Sequence, residues 1–206
     1  MATPPFNTRQ RILGAAEELF ARHGFAGASL RRVTAAAKVN LAAVNYHFGS
    51  KDNLIEEVFR RRLDDLNARR LDRLGSVAGR ADTTLETVLD AFIGPALEQS
   101  MDRHGGSAFV RVLARAYAEQ DDRLRKFLSQ NYGHVLKQFA VEFSRLLPHL
   151  DKEELYWRLD IVAGALTYAM ADFGVIKRRE GENEKHYRER AAQHLVQFAA
   201  AGLRAA

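Results

Sequence analysis

With 206 residues, 47% of them hydrophobic and 28% charged, the chain has room for a sizeable buried core, and no run approaches the roughly 18 apolar residues of a membrane span. Cysteine is absent, which excludes disulfides, thiolate metal ligands and thiol nucleophiles; sparse glycine (14) and proline (4) favour an all-helical protein. The formal net charge of +5 is carried wholly by residues 1–51, where Arg9, Arg11, Arg22, Arg31, Arg32, Lys38 and Lys51 face only Glu17 and Glu18, so the remaining 155 residues are neutral. A positive end on a neutral body is what a phosphate-binding head on a separate partner- or ligand-binding domain requires.

The first six residues contain Pro4-Pro5, which prevent an early helix, and they lack the apolar core of a signal peptide, so a cytoplasmic protein is expected. Thr8 reads as the N-cap of a first helix with Ile12, Ala16, Leu19 and Phe20 inward, ending at Gly24. Ser29 caps a second helix with Leu30, Val33 and Ala37 inward, and Asn40 caps a third with Val44 and Phe48 inward. Gly49 ends the third helix and Ser50 caps a long fourth. That helix has a semi-buried face of Leu54, Val58 and Leu66, and it passes an arginine-rich surface (Arg60-Arg61-Arg62, Arg69-Arg70) before a loop between Gly75 and Thr83. Five further helices are expected over 84–101, 107–119, 122–147, 152–178 and 183–203, with Asp151 and Glu154 forming a variant capping box. Nothing reads as a strand.

Two short helices joined by a tight turn from Ser29 to Lys51, the second polar and aromatic on one side, read as a helix-turn-helix, which places one helix in the major groove of DNA. The domain division that follows is a helix-turn-helix head over 1–51 and a partner- or ligand-binding helical body over 52–206.

The pattern Ile12-Leu13-x-Ala15-Ala16-x-x-Leu19-Phe20-x-x-x-Gly24-Phe25, followed by Ser29 to Lys51 with Tyr46-His47-Phe48-x-x-Lys51-x-x-Leu54, resembles the N-terminal domain of the TetR family of transcriptional repressors. The resemblance implies an all-α, homodimeric, ligand-responsive repressor whose last two helices form a four-helix dimer interface. Segments of the body, among them Phe109-x-Arg111-x-Leu113, Leu124-Arg125-Lys126-Phe127-Leu128, Glu154-Leu155-Tyr156-Trp157-Arg158 and Gly164-Ala165, are similar to the fatty-acid-responsive members, as is the stretch Val39–Phe48.

In this reading Asn45 pairs with adenine, Ala42 and Ala43 allow close approach and touch thymine methyls, and Tyr46, His47 and Lys51 hold the phosphate backbone. Ser29 and Asn40 add phosphate contacts through helix N-termini, although both would serve as caps in any helical protein. Leu41 groups with Val44 and Phe48 on a helical wheel, but its place in the family pattern faces the groove, and the groove is favoured. Lys38 stands where the family usually has glycine. It either accepts a left-handed conformation, at about 1 kcal/mol or more, or the turn differs locally; a solvated lysine near DNA is the expectation.

No catalytic motif is present, no cofactor is implied, and an enzyme is not expected. Glu182 and His186 read as a solvated pair, not a metal site, and Lys177-Arg178-Arg179 as a charged helix end. Phe92, Phe109, Tyr117, Phe139, Phe143 and Tyr168 are candidates for lining a pocket, with core packing as the alternative role. The expected partners are double-stranded operator DNA, a small apolar effector such as a fatty acid or its coenzyme A thioester, and a second copy through Ile161, Ala165, Tyr168, Ala169, Leu195, Phe198 and Ala199. No membrane partner is expected. The alternatives are a DNA-binding regulator with no small-molecule effector, or an activator.

Overall fold

The computed structural model describes residues 7–100, 106–171 and 179–205. Over these the chain forms α1 (Asn7–Gly27), α2 (Leu30–Ala37), α3 (Leu41–Phe48), α4 (Lys51–Val77), α5 (Leu85–Ser100), α6 (Gly106–Glu119), α7 (Asp122–Leu146), α8 (Lys152–Met170) and α9 (Glu184–Arg204). No strand occurs among the described residues, and no described helix is long and apolar enough to cross a membrane.

Most boundaries follow from local chemistry. Side chains of Ser29, Asn40, Asp151 and Asn183 each accept a hydrogen bond from the backbone N–H three residues on, and Ser50 does the same for Asn53 at 3.1 Å. Thr84 and Thr87 close α5 with a reciprocal pair, each hydroxyl accepting from the other's backbone N–H at 3.1–3.2 Å. Gln120 takes a positive φ of 47° between α6 and α7, and Asp121 then caps α7 by accepting from Leu124 N at 3.0 Å. The first helix departs from expectation at both ends. It starts at Asn7, so Thr8 lies within it; Gly24 breaks its regularity at φ 69°, ψ 175°, but one further turn runs on to Gly27. The expected end of the eighth helix, with Lys177 and Arg178, lies outside the described residues; α8 is described to Met170.

The chain divides into two compact units, Met1–Asp64 with Arg103–Phe127, and Asp65–Asp102 with Leu128–Ala206. The change therefore falls inside α4, and the loop after Val77 joins two helices of the second unit.

In the first unit α1 packs on α2, α3 and α6. Ile12, Ala16 and Phe20 of α1, Val33 of α2, and Val44 and Phe48 of α3 are each almost fully buried, and Phe20, Phe25, Phe59 and Phe109 form a chain of edge-on and tilted rings 5.5–6.4 Å apart. Beneath them Glu17 on α1 accepts from Arg62 on α4 at 3.0 and 3.2 Å, with Arg61 at 4.0 Å. Both Glu17 and Arg62 are buried, so Arg62 does not belong to the arginine-rich surface expected of α4. Burial pushes the Glu17 carboxyl above the usual carboxylate range, against the opposing pull of Arg62. At the Gly24 break, the Glu119 carboxylate from the end of α6 accepts from Phe25 N at 3.0 Å.

In the second unit α5 packs along α9 and against α8. Leu89, Ile93 and Leu97 are buried together with Phe139, Phe143, Leu155, Leu166, Ala200 and Leu203. Arg70 lies over the Phe92 ring at 3.9 Å and donates to the Phe92 carbonyl at 2.9 Å. Arg204 ties the end of α9 to Glu86 on α5 through two bonds of 2.6 and 2.8 Å.

Candidate nucleic-acid interface

α2 and α3 are eight residues each, too short to persist alone in water, so caps and packing must hold them. Ser29 Oγ accepts from Arg32 N at 3.3 Å, and Asn40 Oδ1 from Ala43 N at 2.8 Å. Between the helices Lys38 adopts the left-handed conformation, φ 52°, ψ 51°, with its N–H on the carbonyls of Thr34 and Ala35. Arg11 reaches from α1 into this turn and donates to the carbonyls of Ala37 and Lys38, the latter at 2.8 Å. The family's glycine position is thus filled by a residue that accepts the strain, and an arginine from another helix satisfies the carbonyls the turn leaves open. At the far end of α3, Gly49 has φ 74°, its N–H bonds to Asn45 O, and Asn53 donates from α4 to the Phe48 carbonyl at 3.0 Å.

With the helix fixed at both ends, its two faces separate cleanly. Val44 and Phe48 point into the core. Ala42, Asn45 and His47 are exposed, as are Leu41 (44%) and Tyr46 (86%), and Ala43 is half-buried. Leu41 is therefore outward, as its place in the family pattern implied and against its wheel grouping. The Tyr46 and His47 rings stand edge-on at 5.2 Å. Next to the ends of α3, Lys38 and Asn40 are exposed and Lys51 is half-buried; Ser29, at the start of α2, is exposed. Nine of the ten residues singled out in sequence thus lie on α3 or next to its ends, Ser29 caps α2, and none is buried. The face offers an amide, a phenol, an imidazole, small side chains and two lysines, the mixture needed to read base edges between phosphates. Sequence reasoning misses Arg11 as a positioning residue. Its partners lie 26 and 27 residues away, and no local pattern points to them.

The six aromatic pocket candidates are not brought together. Phe92, Phe139 and Phe143 form one cluster in the second unit, with centroids 5.2 and 6.3 Å apart. Phe109 packs on Phe59 in the first unit, and Tyr117 and Tyr168 are exposed. Hollows in the second unit have other linings. An apolar groove of about 650 Å³ lies between α7 and α8, bordered by Leu136, Tyr156, Trp157, Leu159 and Ala163. A cavity of about 350 Å³ lies between α5 and α9.

Among the described residues no group of three metal-ligating side chains occurs. Glu182 does not pair with His186. It accepts from Arg190 at 2.7 Å and from Arg179 N at 3.0 Å, which hold its carboxyl down at about 2, while the His186 ring faces Asn183. On α8 and α9, Trp157, Ile161, Tyr168 and Phe198 are exposed large apolar side chains; Ala199, expected beside them, is 3% exposed and belongs to the core.

Residues 12–58 match the family described as bacterial regulatory proteins, tetR family, and residues 90–202 match the tetracyclin repressor-like C-terminal domain. The chain is 40% identical over 105 residues to the HTH-type transcriptional repressor Rv3405c of Mycobacterium tuberculosis. That match covers 51% of this chain and less than half, 44%, of the relative. Among solved structures, the TetR family transcriptional regulator PfmR from Thermus thermophilus superposes with a TM-score of 0.64 at 18% identity, over 100% of this chain and 98% of the other. The fatty acid degradation regulator FadR from Bacillus halodurans superposes with a TM-score of 0.65 at 16% identity, over 100% of both chains. At these identities the superpositions establish a common fold.

Proposed function

Because the chain belongs to the TetR family of bacterial regulatory proteins, we propose that it is a cytoplasmic transcriptional repressor that binds a two-fold-related operator as a homodimer and is released by a small apolar effector such as a fatty acid or its coenzyme A thioester. The observation that carries this reading is the exposed face of α3 on a head that holds the whole net charge of the protein. Selection from a random duplex library, followed by titration of the enriched sequence, tests it. A two-fold-related site should emerge, with half-sites about 34–36 Å apart or a multiple of that. Enrichment of no sequence would refute it.

The ten candidate contact residues divide by chemistry. Lys51→Ala should weaken binding to selected and random duplexes alike and reduce the salt slope by roughly one, as one phosphate contact is lost. Asn45→Ala should cost about 1–3 kcal/mol at the selected site and relax its base preference. Fluorescence anisotropy across a salt series separates the two, and equal losses on both DNAs for both variants would contradict the division.

Dimerisation through α8 and α9 is supported by the exposed Ile161, Tyr168 and Phe198, which a monomer would leave in water. Ile161→Asp with Phe198→Asp should give a monomer at micromolar concentration by sedimentation, with operator affinity lost and helicity retained. A dimer that persisted would move the interface elsewhere.

The effector reading rests on a charge-neutral body with hollows large enough for a small molecule and on the likeness to fatty-acid-responsive relatives. α4 belongs to both units, so a ligand that changes its tilt changes the head. DNA and ligand would then weaken each other, typically by about 1–3 kcal/mol.

A further inference from the structure

The cavity between α5 and α9 leaves one of its charged side chains without an internal ion-pair partner. Its charged lining is Arg73, Asp90, Glu98, Lys185, Arg188 and Glu189, formally neutral. The internal pairs close unevenly. Arg73 donates to Glu98 at 2.7 Å and lies 4.0 Å from Asp90, while Lys185 lies 3.7 Å from Glu189. Every carboxylate of the lining is then engaged, and Arg188 is left over. It is only 7% exposed, yet it forms no ion pair with any described residue. Among those residues its hydrogen bond goes to a neutral group, the Ala169 carbonyl at 3.1 Å, and its Nε is buried with no acceptor. The Tyr187 ring, 5.6 Å from the guanidinium carbon, is the other group facing it. Burying a guanidinium without a counter-charge is costly. A folded chain tolerates that cost where a ligand's charge completes the pair.

We propose that Arg188 is the anion-binding residue of an effector site in this cavity and receives the carboxylate of a small organic acid. This rests on the effector reading above and narrows it. One buried guanidinium without an internal partner matches a monocarboxylate; the several phosphate charges of a coenzyme A thioester would instead face Asp90, Glu98 and Glu189. Leu97 and Ala192 line the same cavity, and a second hollow of about 490 Å³ shares Arg73, Asp90 and Gln193 as its wall and adds Val77, Ala91 and Val196. The hydrocarbon part of the acid lies along these apolar side chains.

The test is calorimetric titration of the full chain with sodium decanoate, decanol and decanoyl-coenzyme A, repeated on Arg188→Met. Decanoate should bind at least about tenfold more tightly than either of the others, the expected worth of one charge-assisted contact, and the variant should bind decanoate no better than decanol. Without ligand, Arg188→Met should unfold at a temperature equal to or above that of the parent, because a buried charge with no counter-charge among the described residues has been removed. Equal affinity for acid and alcohol, undiminished decanoate binding by the variant, no binding by any of the three probes, or a lower unfolding temperature of the variant would each overturn the assignment. Decanoate that binds through Arg188 but leaves operator affinity unchanged would instead refute the effector reading and leave this site standing.

Discussion

Glu17→Ala should destabilise the protein by about 3–5 kcal/mol, among the largest losses available to a single substitution in the head. The variant removes the carboxylate that meets Arg62 at 3.0 and 3.2 Å and deprives that guanidinium, 6% exposed, of this counter-charge between α1 and α4. The same environment predicts that removing both charges is nearly harmless. Burial already pushes the Glu17 carboxyl upward despite Arg62, so desolvation outweighs the attraction between the partners. Glu17→Leu combined with Arg62→Met should accordingly lie close to the parent, or up to about 1–4 kcal/mol above it. Urea denaturation of the two single variants and the double variant decides the matter. If the double variant lost as much as Glu17→Ala, the pair would be acting through something other than mutual compensation of buried charge.

Gly24→Ala should cost about 2–4 kcal/mol, from two sources. The backbone at φ 69°, ψ 175° lies in a region that side-chain-bearing residues essentially do not enter. A Cβ there would also overlap Glu119 Oε1 and push the carboxylate away from Phe25 N, from which it accepts at 3.0 Å. The sources are separable because one belongs to the chain and the other to the neighbour. In a Glu119→Ala background the same substitution should retain only the backbone cost, about 1–3 kcal/mol. Denaturation of the four proteins in this cycle gives the coupling, and zero coupling would show that the carboxylate makes no contribution at the break.

What is legible in the sequence is whatever is decided within one helical turn. Ser29, Asn40, Ser50 and Asp151 cap because a short polar side chain reaches the N–H three residues ahead, and no distant residue is needed. The inward pairs Val33 with Ala37 and Val44 with Phe48 follow from spacing in the same way. The failures lie where distant segments meet. Arg62 reads as one of a surface run because its carboxylate lies 45 residues earlier, and the Glu119 contact to Phe25 spans 94 residues. Helical spacing marks six aromatic residues as inward or pocket-lining, but it cannot say which helix each will meet. Phe92, Phe139 and Phe143 find one another, Phe109 joins the other unit, and Tyr117 and Tyr168 remain outside. Lys38 is legible as a departure, while the arginine that lets its turn close is not.

The clean separation of the two faces of α3 has a consequence for how such a protein can change over time. Folding depends on Val44, Phe48 and the caps; the outward positions Leu41, Ala42, Asn45 and Tyr46 contribute almost nothing to the core. Exchanges at solvent-facing positions of this kind usually alter stability by no more than about 0.5 kcal/mol. The head is therefore a holder with an interchangeable key: a lineage can rewrite which sequence it addresses in single steps, each leaving the holder intact.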